Sequence, residues 1–217
     1  MTAPVTTERV RFRAGASTFV GDLHRPADSS AGPAVVVTGS WTTVKEQMAD
    51  RYARLLAAQG FAALSFDFTG FGESGGDPRD VESPALKARD IGDAVTFLAE
   101  HPAVDPARIG ALAICASAGY TALNAVGDDR VRCLALIASW LHDADLVREM
   151  YGGENGVAER VNAGHARSRY DQTGIVDYVP AQSATDPKAA MPMAIDQPAT
   201  VSDAVDRARA HLGRYLR

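Results

Sequence analysis

The amino-acid sequence predicts an α/β fold built on a mostly parallel, doubly wound sheet with an antiparallel hairpin at its N-terminal side. Between residues 33 and 139, short apolar stretches alternate with longer stretches in which apolar residues recur at helical spacing. The apolar stretches lack the alternation of a strand with one face in water, which indicates strands covered by helices on both faces of the sheet. Strands and helices in this order form right-handed crossovers and a parallel sheet.

The N-terminal hairpin comes first along the chain. The stretches RVRFRA (9–14) and TFVGDLHRP (18–26) are rich in residues with high strand propensity, and Gly15 and Ala16 lie between them. This pattern predicts two antiparallel strands joined by a tight turn. The next stretch, PAVVVTGS (33–40), is a continuous apolar run that ends near a glycine. It predicts the first strand of the parallel part of the sheet.

Helices and strands then alternate up to residue 139. The predicted elements are a helix at 44–59, a strand at 61–68, a helix at 85–102, a strand at 108–114, a helix at 116–126 and a strand at 132–139. Gly60 is placed to cap the first of these helices, and Pro102 closes the second.

The pattern becomes irregular after residue 139. Residues 140–174 are polar with weak helical periodicity, and 176–198 contain four prolines, which leave only MAI (193–195) suited to a strand. Helical spacing returns at 200–217. We therefore predict a single domain over residues 1–217, in which 140–198 is a cap-like or irregular segment.

Composition and charge exclude several classes of protein. The formal net charge is −5, and there is no block of like charge that would follow a phosphate backbone, so we expect no nucleic-acid partner. Residues 109–127 carry no charge, but their Gly, Ser, Thr and Asn content indicates a buried strand and helix and not a membrane span.

The N-terminal residues lack a signal-peptide pattern, which predicts a cytoplasmic location. The two cysteines show no metal-ligand spacing, and we expect free thiols and no cofactor.

The stretch IGALAICASAGY (109–120) contains two candidate nucleophiles, Cys115 and Ser117. An apolar strand that turns tightly into a helix exposes one side chain at the turn, and small residues flank that side chain in a nucleophile elbow. Both candidates have small neighbours. The apolar run ends at Ile114, so the turn residue is expected to be Cys115. The alternatives are that Ser117 is the nucleophile or that Cys115 is a buried core thiol.

Three motifs together resemble one family of enzymes. RIGALAICASAGY, the preceding VVVTGSWTTVKEQ, and FDFTGFGESGG are similar to the dienelactone hydrolase-like branch of the α/β-hydrolase superfamily, in which a cysteine can stand at the elbow. The resemblance implies an α/β-hydrolase type of sheet, shortened here at the C-terminal side. It also implies that Cys115 attacks a small-molecule acyl substrate, namely an ester, a lactone or a related compound.

The chemistry of a thiol fits this position. The N-terminal end of a helix carries partial positive charge and favours the thiolate, which is the attacking species. Two N–H donors are then needed for the oxyanion that develops on the substrate. The sequence predicts one donor at Ala116, directly after the nucleophile, and a second in the loop after the third strand, at Ser40 or Trp41.

A general base is harder to predict. In this fold the catalytic acid and histidine follow the elbow along the chain, which leaves His142, His165 and His211. His142 is the best placed of them, because it follows the sixth strand at the edge of the sheet where sites form. A structural or surface role for His142 is the favoured alternative. The segment after Pro187 resembles the family's last strand and helix, yet Asp196 or Gln197 stands where the resemblance implies the histidine.

Several residues in the loops after the first two parallel strands are also candidates for a functional role. GFGESG (70–75) matches the dinucleotide-binding pattern G-x-G-x-x-G, but Asp77 and Pro78 follow where a helix should begin, which argues against that reading. Asp67 is expected to be either a carboxylate at the rim of the site or a turn former, and the turn is favoured. Trp41 and Phe71 are candidates for the wall of an apolar pocket.

Two hypotheses about function follow. The first is a hydrolase in which Cys115 is the nucleophile, Ala116 and the loop at Ser40 and Trp41 hold the oxyanion, and His142 is the base. The second is a truncated, catalytically weak or inactive hydrolase-fold protein that acts in ligand binding, thiol sensing or association. Absent strands would leave an unpaired sheet edge, so association of two chains into a homodimer is an expectation of the second hypothesis.

Overall fold

The structure, a computed structural model, describes residues 4–27, 30–161, 164–186, 189–191 and 201–216. Its strands are β1 (Val5–Ala14), β2 (Ser17–Pro26), β3 (Gly32–Thr38), β4 (Ala62–Phe66), β5 (Val104–Ile114) and β6 (Val131–Ile137). Its helices are α1 (Ala49–Ala57), α2 (Pro84–Glu100), α3 (Ser117–Val126), α4 (Ala144–Met150), α5 (Gly153–Val161), α6 (Gly164–Thr173) and α7 (Val201–Tyr215).

The strands form one sheet in the order β1-β2-β4-β3-β5-β6. The β1–β2 and β2–β4 pairs are antiparallel, and the pairs among β3, β4, β5 and β6 are parallel. The predicted α/β class, with a mostly parallel sheet and an N-terminal hairpin, is therefore confirmed. None of the helices in the described part of the chain is long and apolar enough to cross a membrane.

The chain divides into two compact units. The first comprises Met1–Trp140 and Ala199–Arg217 and contains the sheet; the second comprises Leu141–Pro198. The second unit contains α4, α5, α6 and a bridge between Gln182 and Met191. The single domain predicted over 1–217 stays a prediction, and the strand predicted at 193–195 lies outside the described residues.

The second unit is more helical than its sequence suggests. Asp143 caps α4, because its Oδ1 accepts hydrogen bonds from the backbone N–H groups of Asp145 at 3.1 Å and Leu146 at 2.8 Å. No side chain of α4 is buried. A local cap therefore starts this helix, and the weak apolar periodicity of 140–174 corresponds to helices with little buried surface.

Helix α1 begins later than predicted. The sequence places its start near residue 44, but α1 begins at Ala49. Residues 45–48 form turns, and a buried carboxylate accepts the backbone N–H of Lys45. Side-chain bonding to the backbone competes with a helical start here. The predicted cap is close to the observed one, since Gly60 has φ of 104° just after the end of the helix.

Two apolar cores cover the two faces of the sheet. On one face α2 packs on phenylalanines of the hairpin and of β4, among them Phe12, Phe19 and Phe66. On the other face α1 and α7 pack through Leu56 and Leu212. Because β3 and β5 are buried from both sides, the loops at their carboxyl ends extend from a rigid base.

A buried histidine joins the hairpin to α1. His24 of β2 has no exposed surface, and its Nε2 lies 2.6 Å from Oδ1 of Asp50 and its Nδ1 2.8 Å from Oγ1 of Thr7. A carboxylate only accepts, so Nε2 carries the proton and Nδ1 accepts from the threonine hydroxyl. Burial lowers the pKa of His24 despite the nearby Asp50.

Candidate active site

Cys115 lies in the tight turn between β5 and α3. Its φ is 58°, in the left-handed region that residues with a side chain rarely adopt. Its N–H donates to the carbonyl of Ile137 at 3.0 Å, and its carbonyl accepts the N–H of Trp140 at 3.1 Å. The side chain is partly exposed. The ends of β5 and β6 therefore hold a strained and partly exposed cysteine, which also packs against the core that contains Leu56 and Leu212.

Small residues surround this turn, as the sequence predicted. Ala113, Ala116 and Ala118 are each at most 6% exposed. Ala116 already has helical dihedral angles, φ −64° and ψ −31°. It stands at the N-terminal end of α3, where backbone N–H groups have no partner within the helix and are available to an anion.

Ser117 occupies a different environment from Cys115. It has no exposed surface, and within the described chain its hydroxyl oxygen has no hydrogen-bond partner. Ser117 is therefore more deeply buried than Cys115.

The parallel register of β3 and β5 brings the next candidates to the same edge of the sheet. Thr38 of β3 lies opposite Ala113 of β5. Residues 39–48, which we call the β3 loop, therefore begin beside the turn that holds Cys115. The hydroxyl oxygens of Thr38 and Thr121 are 3.2 Å apart and join the end of β3 to α3. Ser40 and Trp41 are thus at the same edge as Ala116.

The β3 loop contains a strained residue of its own. Thr42 has φ of 57°, an unfavourable value for a β-branched residue. Its backbone N–H donates to Oε2 of Glu82 at 3.1 Å. The carbonyl of Ser40 accepts from the hydroxyl of Thr43 at 2.8 Å. The indole nitrogen of Trp41 is shielded from solvent and has no acceptor among the described residues.

A buried carboxylate holds the far end of the β3 loop. Asp67, just after β4, is 1% exposed. Its Oδ1 accepts the backbone N–H of Lys45 at 2.8 Å, and its Oδ2 accepts from Lys45 Nζ at 2.7 Å and from the backbone N–H of Glu73 at 3.0 Å. The sequence predicted a turn former here. Asp67 instead joins two loops, a role that local sequence does not reveal.

Three carboxylates converge on the ammonium group of Lys45. Oxygens of Glu46, Asp67 and Glu73 lie within 4.8 Å of one another, close enough to share a cation. Lys45 Nζ lies 2.5 Å, 2.7 Å and 2.7 Å from them, respectively. Burial opposes the charge, but hydrogen bonds to Asp67, Glu46 and Glu73 outweigh it and raise the pKa of Lys45. The lysine is thus the cation of this cluster, which does not require a metal ion.

A second carboxylate, that of Glu82, receives three donors. Besides the N–H of Thr42, it accepts from Lys87 Nζ at 2.8 Å and from the hydroxyl of Tyr120 at 3.0 Å. The side chain of Lys87 is only 2% exposed. Its Nζ lies 4.3 Å from the ring centroid of Phe71. Burial lowers the pKa of Lys87, and the charge of Glu82 opposes this effect.

One prediction about a loop residue is wrong, and three residues of the charge network were missed. Phe71 is 2% exposed and packs beneath Lys87, so it belongs to the core and not to a pocket wall. Lys45, Glu82 and Lys87 were not identified from sequence. Each is surrounded by residues from distant segments, and no local motif indicates a buried lysine.

The histidines considered as bases are divided between the two units. His142 precedes α4 and His165 lies in α6, both in the second unit. Burial lowers the pKa of His142, while the charge of Asp143 opposes this effect. His211, in α7 of the first unit, is exposed, and its ring lies 5.2 Å from that of Tyr215 between centroids, with the two planes tilted by 56°. Asp196 and Gln197 lie outside the described residues.

The mostly parallel sheet, its strand order and its helices define the class of this protein as the α/β-hydrolase fold. Residues 19–209 match the family described as X-Pro dipeptidyl-peptidase (S15 family), and the chain belongs to that family. The Dienelactone Hydrolase-like Promiscuous Phosphotriesterase P91 from metagenomic libraries has the same fold, with a TM-score of 0.60, 22% identity and 98% of each chain covered.

Three relatives are similar in sequence. The chain is 40% identical to Uncharacterized protein PA2218 of Pseudomonas aeruginosa over 64% of this chain and 37% of the relative. It is 38% identical to Polyketide transferase claH of Penicillium crustosum over 57% of this chain and 41% of the relative. It is also 38% identical to Thiohydrolase aneE of Aspergillus aculeatus over 48% of this chain and 32% of the relative.

The crystal structure of PA2218 superimposes with a TM-score of 0.72 and 28% identity, covering 88% of this chain and 66% of that protein. The sequence matches to the three relatives are shorter than this superposition and span about two fifths or less of each relative's length. These relatives support a hydrolase-like function of the fold, and the activities in their names belong to them.

Proposed function

We propose that the protein is an acyl hydrolase that cleaves a small ester, thioester, lactone or related compound through Cys115. The observation that supports this most is the turn itself: a partly exposed cysteine at φ 58°, between a buried strand and the start of a helix. We interpret this turn as a nucleophile elbow, in which the reactive residue lies between a strand and a helix. Thioesters enter the proposal because one relative is named a thiohydrolase.

In the proposed reaction the thiolate of Cys115 attacks the carbonyl carbon of the substrate. A carbon–sulfur bond forms and the carbonyl oxygen becomes an oxyanion, which then returns its electron pair as the bond to the leaving oxygen or sulfur breaks. The proton lost by the Cys115 thiol goes to the leaving group as that group departs. Water then hydrolyses the acyl-cysteine: its oxygen and one hydrogen become part of the acid, and its other hydrogen regenerates the thiol. The net reaction consumes one water and yields an acid and an alcohol or thiol.

The proposed oxyanion donors are the backbone N–H of Ala116 and a backbone N–H of the β3 loop, at Ser40 or Trp41. The register of Thr38 with Ala113 supports this pairing, because it starts the loop beside the turn. Donors fixed in advance toward the developing charge stabilise the transition state strongly.

The proposed general base is His142. Its lowered pKa supports this role, since an imidazole that stays neutral at neutral pH is able to accept a proton. His142→Ala is expected to slow hydrolysis of the acyl-enzyme with little effect on its formation. His165→Ala serves as the matched control in the same unit.

The experiment that tests the proposal uses p-nitrophenyl acetate and an S-acetyl thioester as substrates. The wild-type protein is expected to gain one acetyl group, which mass spectrometry locates on Cys115. Cys115→Ala is expected to abolish turnover, whereas Cys133→Ala is expected to retain it. Full turnover by Cys115→Ala, with acetyl found on Ser117, would assign the nucleophile to the serine.

A second candidate function is ligand binding, thiol sensing or association without turnover. It is supported by Cys115, a free and partly exposed cysteine at the end of β5. β6 is an outer strand of the sheet, and its Leu136 is 38% exposed, which suits pairing with a second chain. A protein that alkylates at Cys115 but hydrolyses neither substrate would favour this candidate, and solution mass measurement tests the homodimer.

A further inference from the structure

We propose that Glu82 is a positioning residue that fixes the β3 loop relative to the helix of the nucleophile. The inference rests on the proposed function, since it assigns to this loop an oxyanion donor. Glu82 lies just before α2, and its carboxylate accepts hydrogen bonds from the β3 loop, from α2 and from α3. This role needs no contact between Glu82 and the substrate.

The contacts of Glu82 join three parts of the site. Oε2 accepts the N–H of Thr42 in the β3 loop at 3.1 Å and the ammonium of Lys87 in α2 at 2.8 Å. Oε1 accepts the hydroxyl of Tyr120 in α3 at 3.0 Å. Thus one carboxylate sets the separation between the β3 loop and α3, which carry the two proposed oxyanion donors.

The bond to Thr42 acts on a strained part of the backbone. Thr42 has φ of 57°, and without a partner for its N–H the residue is expected to relax to negative φ. Such a change rotates the peptide between Trp41 and Thr42 and displaces the N–H groups just before it. The donor in the loop then no longer points toward the oxyanion.

Lys87 allows the carboxylate of Glu82 to remain nearly buried. The side chain of Glu82 is 13% exposed and that of Lys87 is 2% exposed. The ammonium group also lies 4.7 Å and 4.3 Å from the ring centroids of Phe68 and Phe71. The aromatic faces and Glu82 together replace the water that the cation has lost.

Tyr120 couples Glu82 to the turn of the nucleophile. It lies in the first turn of α3, the helix that follows Cys115 directly. Burial, the charge of Glu82 and the charge of a Cys115 thiolate all raise the pKa of Tyr120. The phenol is therefore within electrostatic reach of the sulfur and stays protonated as a donor to Glu82.

The first test measures the β3 loop itself. Hydrogen–deuterium exchange is followed on peptides that cover residues 39–48 in the wild type, Glu82→Ala and Glu82→Gln, with Glu100→Gln as an exposed control on α2. Faster exchange in Glu82→Ala, a smaller increase in Glu82→Gln and no change in the control are expected. Unchanged exchange in Glu82→Ala would overturn the proposal whatever the activity of the protein.

The second test compares two reactions of Cys115. Alkylation by iodoacetamide needs no oxyanion donor, whereas acetylation by p-nitrophenyl acetate does. We expect Glu82→Ala to lower kcat for the ester by about tenfold or more at similar KM, since loss of a donor lowers kcat by about 100-fold or more. The alkylation rate should stay within about twofold of the wild type.

The outcomes separate this inference from the proposed function. If acetylation and alkylation fall together in Glu82→Ala, or if Glu82→Gln restores nothing, Glu82 is merely structural and the inference is wrong. If the wild type is never acetylated on Cys115, the proposed function fails, and the exchange experiment alone then decides whether Glu82 holds the loop.

Discussion

Asp67 binds Lys45 twice, through the backbone N–H at 2.8 Å and through the ammonium at 2.7 Å. Both side chains are completely buried. One charge pair therefore attaches the β3 loop to the end of β4, and Glu82 holds the same loop at Thr42. A loop fixed at two points is suited to presenting a backbone donor without reorganisation.

This relationship predicts the effect of removing one partner of the pair. Asp67→Ala leaves the Lys45 ammonium buried and short of a partner, which we expect to lower the free energy of unfolding by about 3 kcal/mol. Urea denaturation at neutral pH measures the change. Glu46→Gln is the control: Glu46 also contacts Lys45, but its side chain is 54% exposed. The control should cost at most about 1 kcal/mol.

A double variant provides a further check on the same pair. Lys45→Met combined with Asp67→Leu removes both charges and should be less destabilised than Asp67→Ala alone, because no buried charge is left unpaired. Equal stability of Asp67→Ala and the wild type would show that the pair contributes nothing to folding.

The fold was predictable because its signals are local. The strands β3 and β5 are apolar on both faces, and in the helices between the strands apolar residues recur at helical spacing. The turn at Cys115 was predictable for the same reason, since an apolar strand meets small residues there. Helices α4 to α6 were not predicted, because a helix such as α4 that buries no side chain has little apolar periodicity.

The charge network was not predictable, because its members are far apart in the chain. Lys45 and Asp67 are 22 residues apart, and Glu82 and Tyr120 are 38 residues apart. A lysine in sequence is ordinarily a surface residue, and only the packed fold reveals that Lys45 and Lys87 are buried. The positive φ of Thr42 likewise has no signal in its own residue type, and its N–H donates to Glu82, which is 40 residues away in the chain.

The buried histidine of the hairpin predicts a loss of stability in acid. Burial lowers the pKa of His24 below its ordinary value of 6.5, so the unfolded chain takes up a proton that the folded chain resists. The stability that neutral His24 contributes is therefore complete above pH 6.5, which is the pKa of histidine in the unfolded chain. This stability is lost as the pH falls below 6.5 toward the lower pKa of His24 in the folded protein.

Urea denaturation of the wild type between pH 8 and pH 5 should show this decline. His24→Gln should be less stable at pH 8 but should lose less on acidification, whereas His211→Gln, at an exposed position, should follow the wild type. A pH dependence that is unchanged in His24→Gln would assign the effect to other groups.

Gly72 is predicted to be intolerant of a side chain. Its φ is 48°, and a Cβ there would collide with the carboxylate of Asp67. We expect Gly72→Ala to lower the free energy of unfolding by about 2 kcal/mol or more, from backbone strain and overpacking together. The control is Gly213→Ala in α7, where a Cβ meets nothing within 4 Å and helix propensity favours alanine. Thermal denaturation of both variants is the measurement, and equal melting temperatures would refute the expected collision.

The two cysteines should react at very different rates. Burial raises the pKa of Cys133 to about 11, and the residue is 9% exposed. Its thiolate fraction at pH 7.5 is then below about one in a thousand. Cys115 is partly exposed at the N-terminal end of α3. Limited treatment of the folded protein with iodoacetamide should give one adduct, located on Cys115 by peptide mass spectrometry.

Denaturation provides the control for this difference, because both cysteines should be alkylated once the protein unfolds in urea. Cys133→Ala should react at the same rate as the wild type, and Cys115→Ala should resist the reagent while folded. A first adduct on Cys133 of the folded protein would contradict the burial of that thiol. It would also show that Cys115 reacts more slowly than a buried thiol, which argues against the reactive cysteine on which the proposed hydrolase depends.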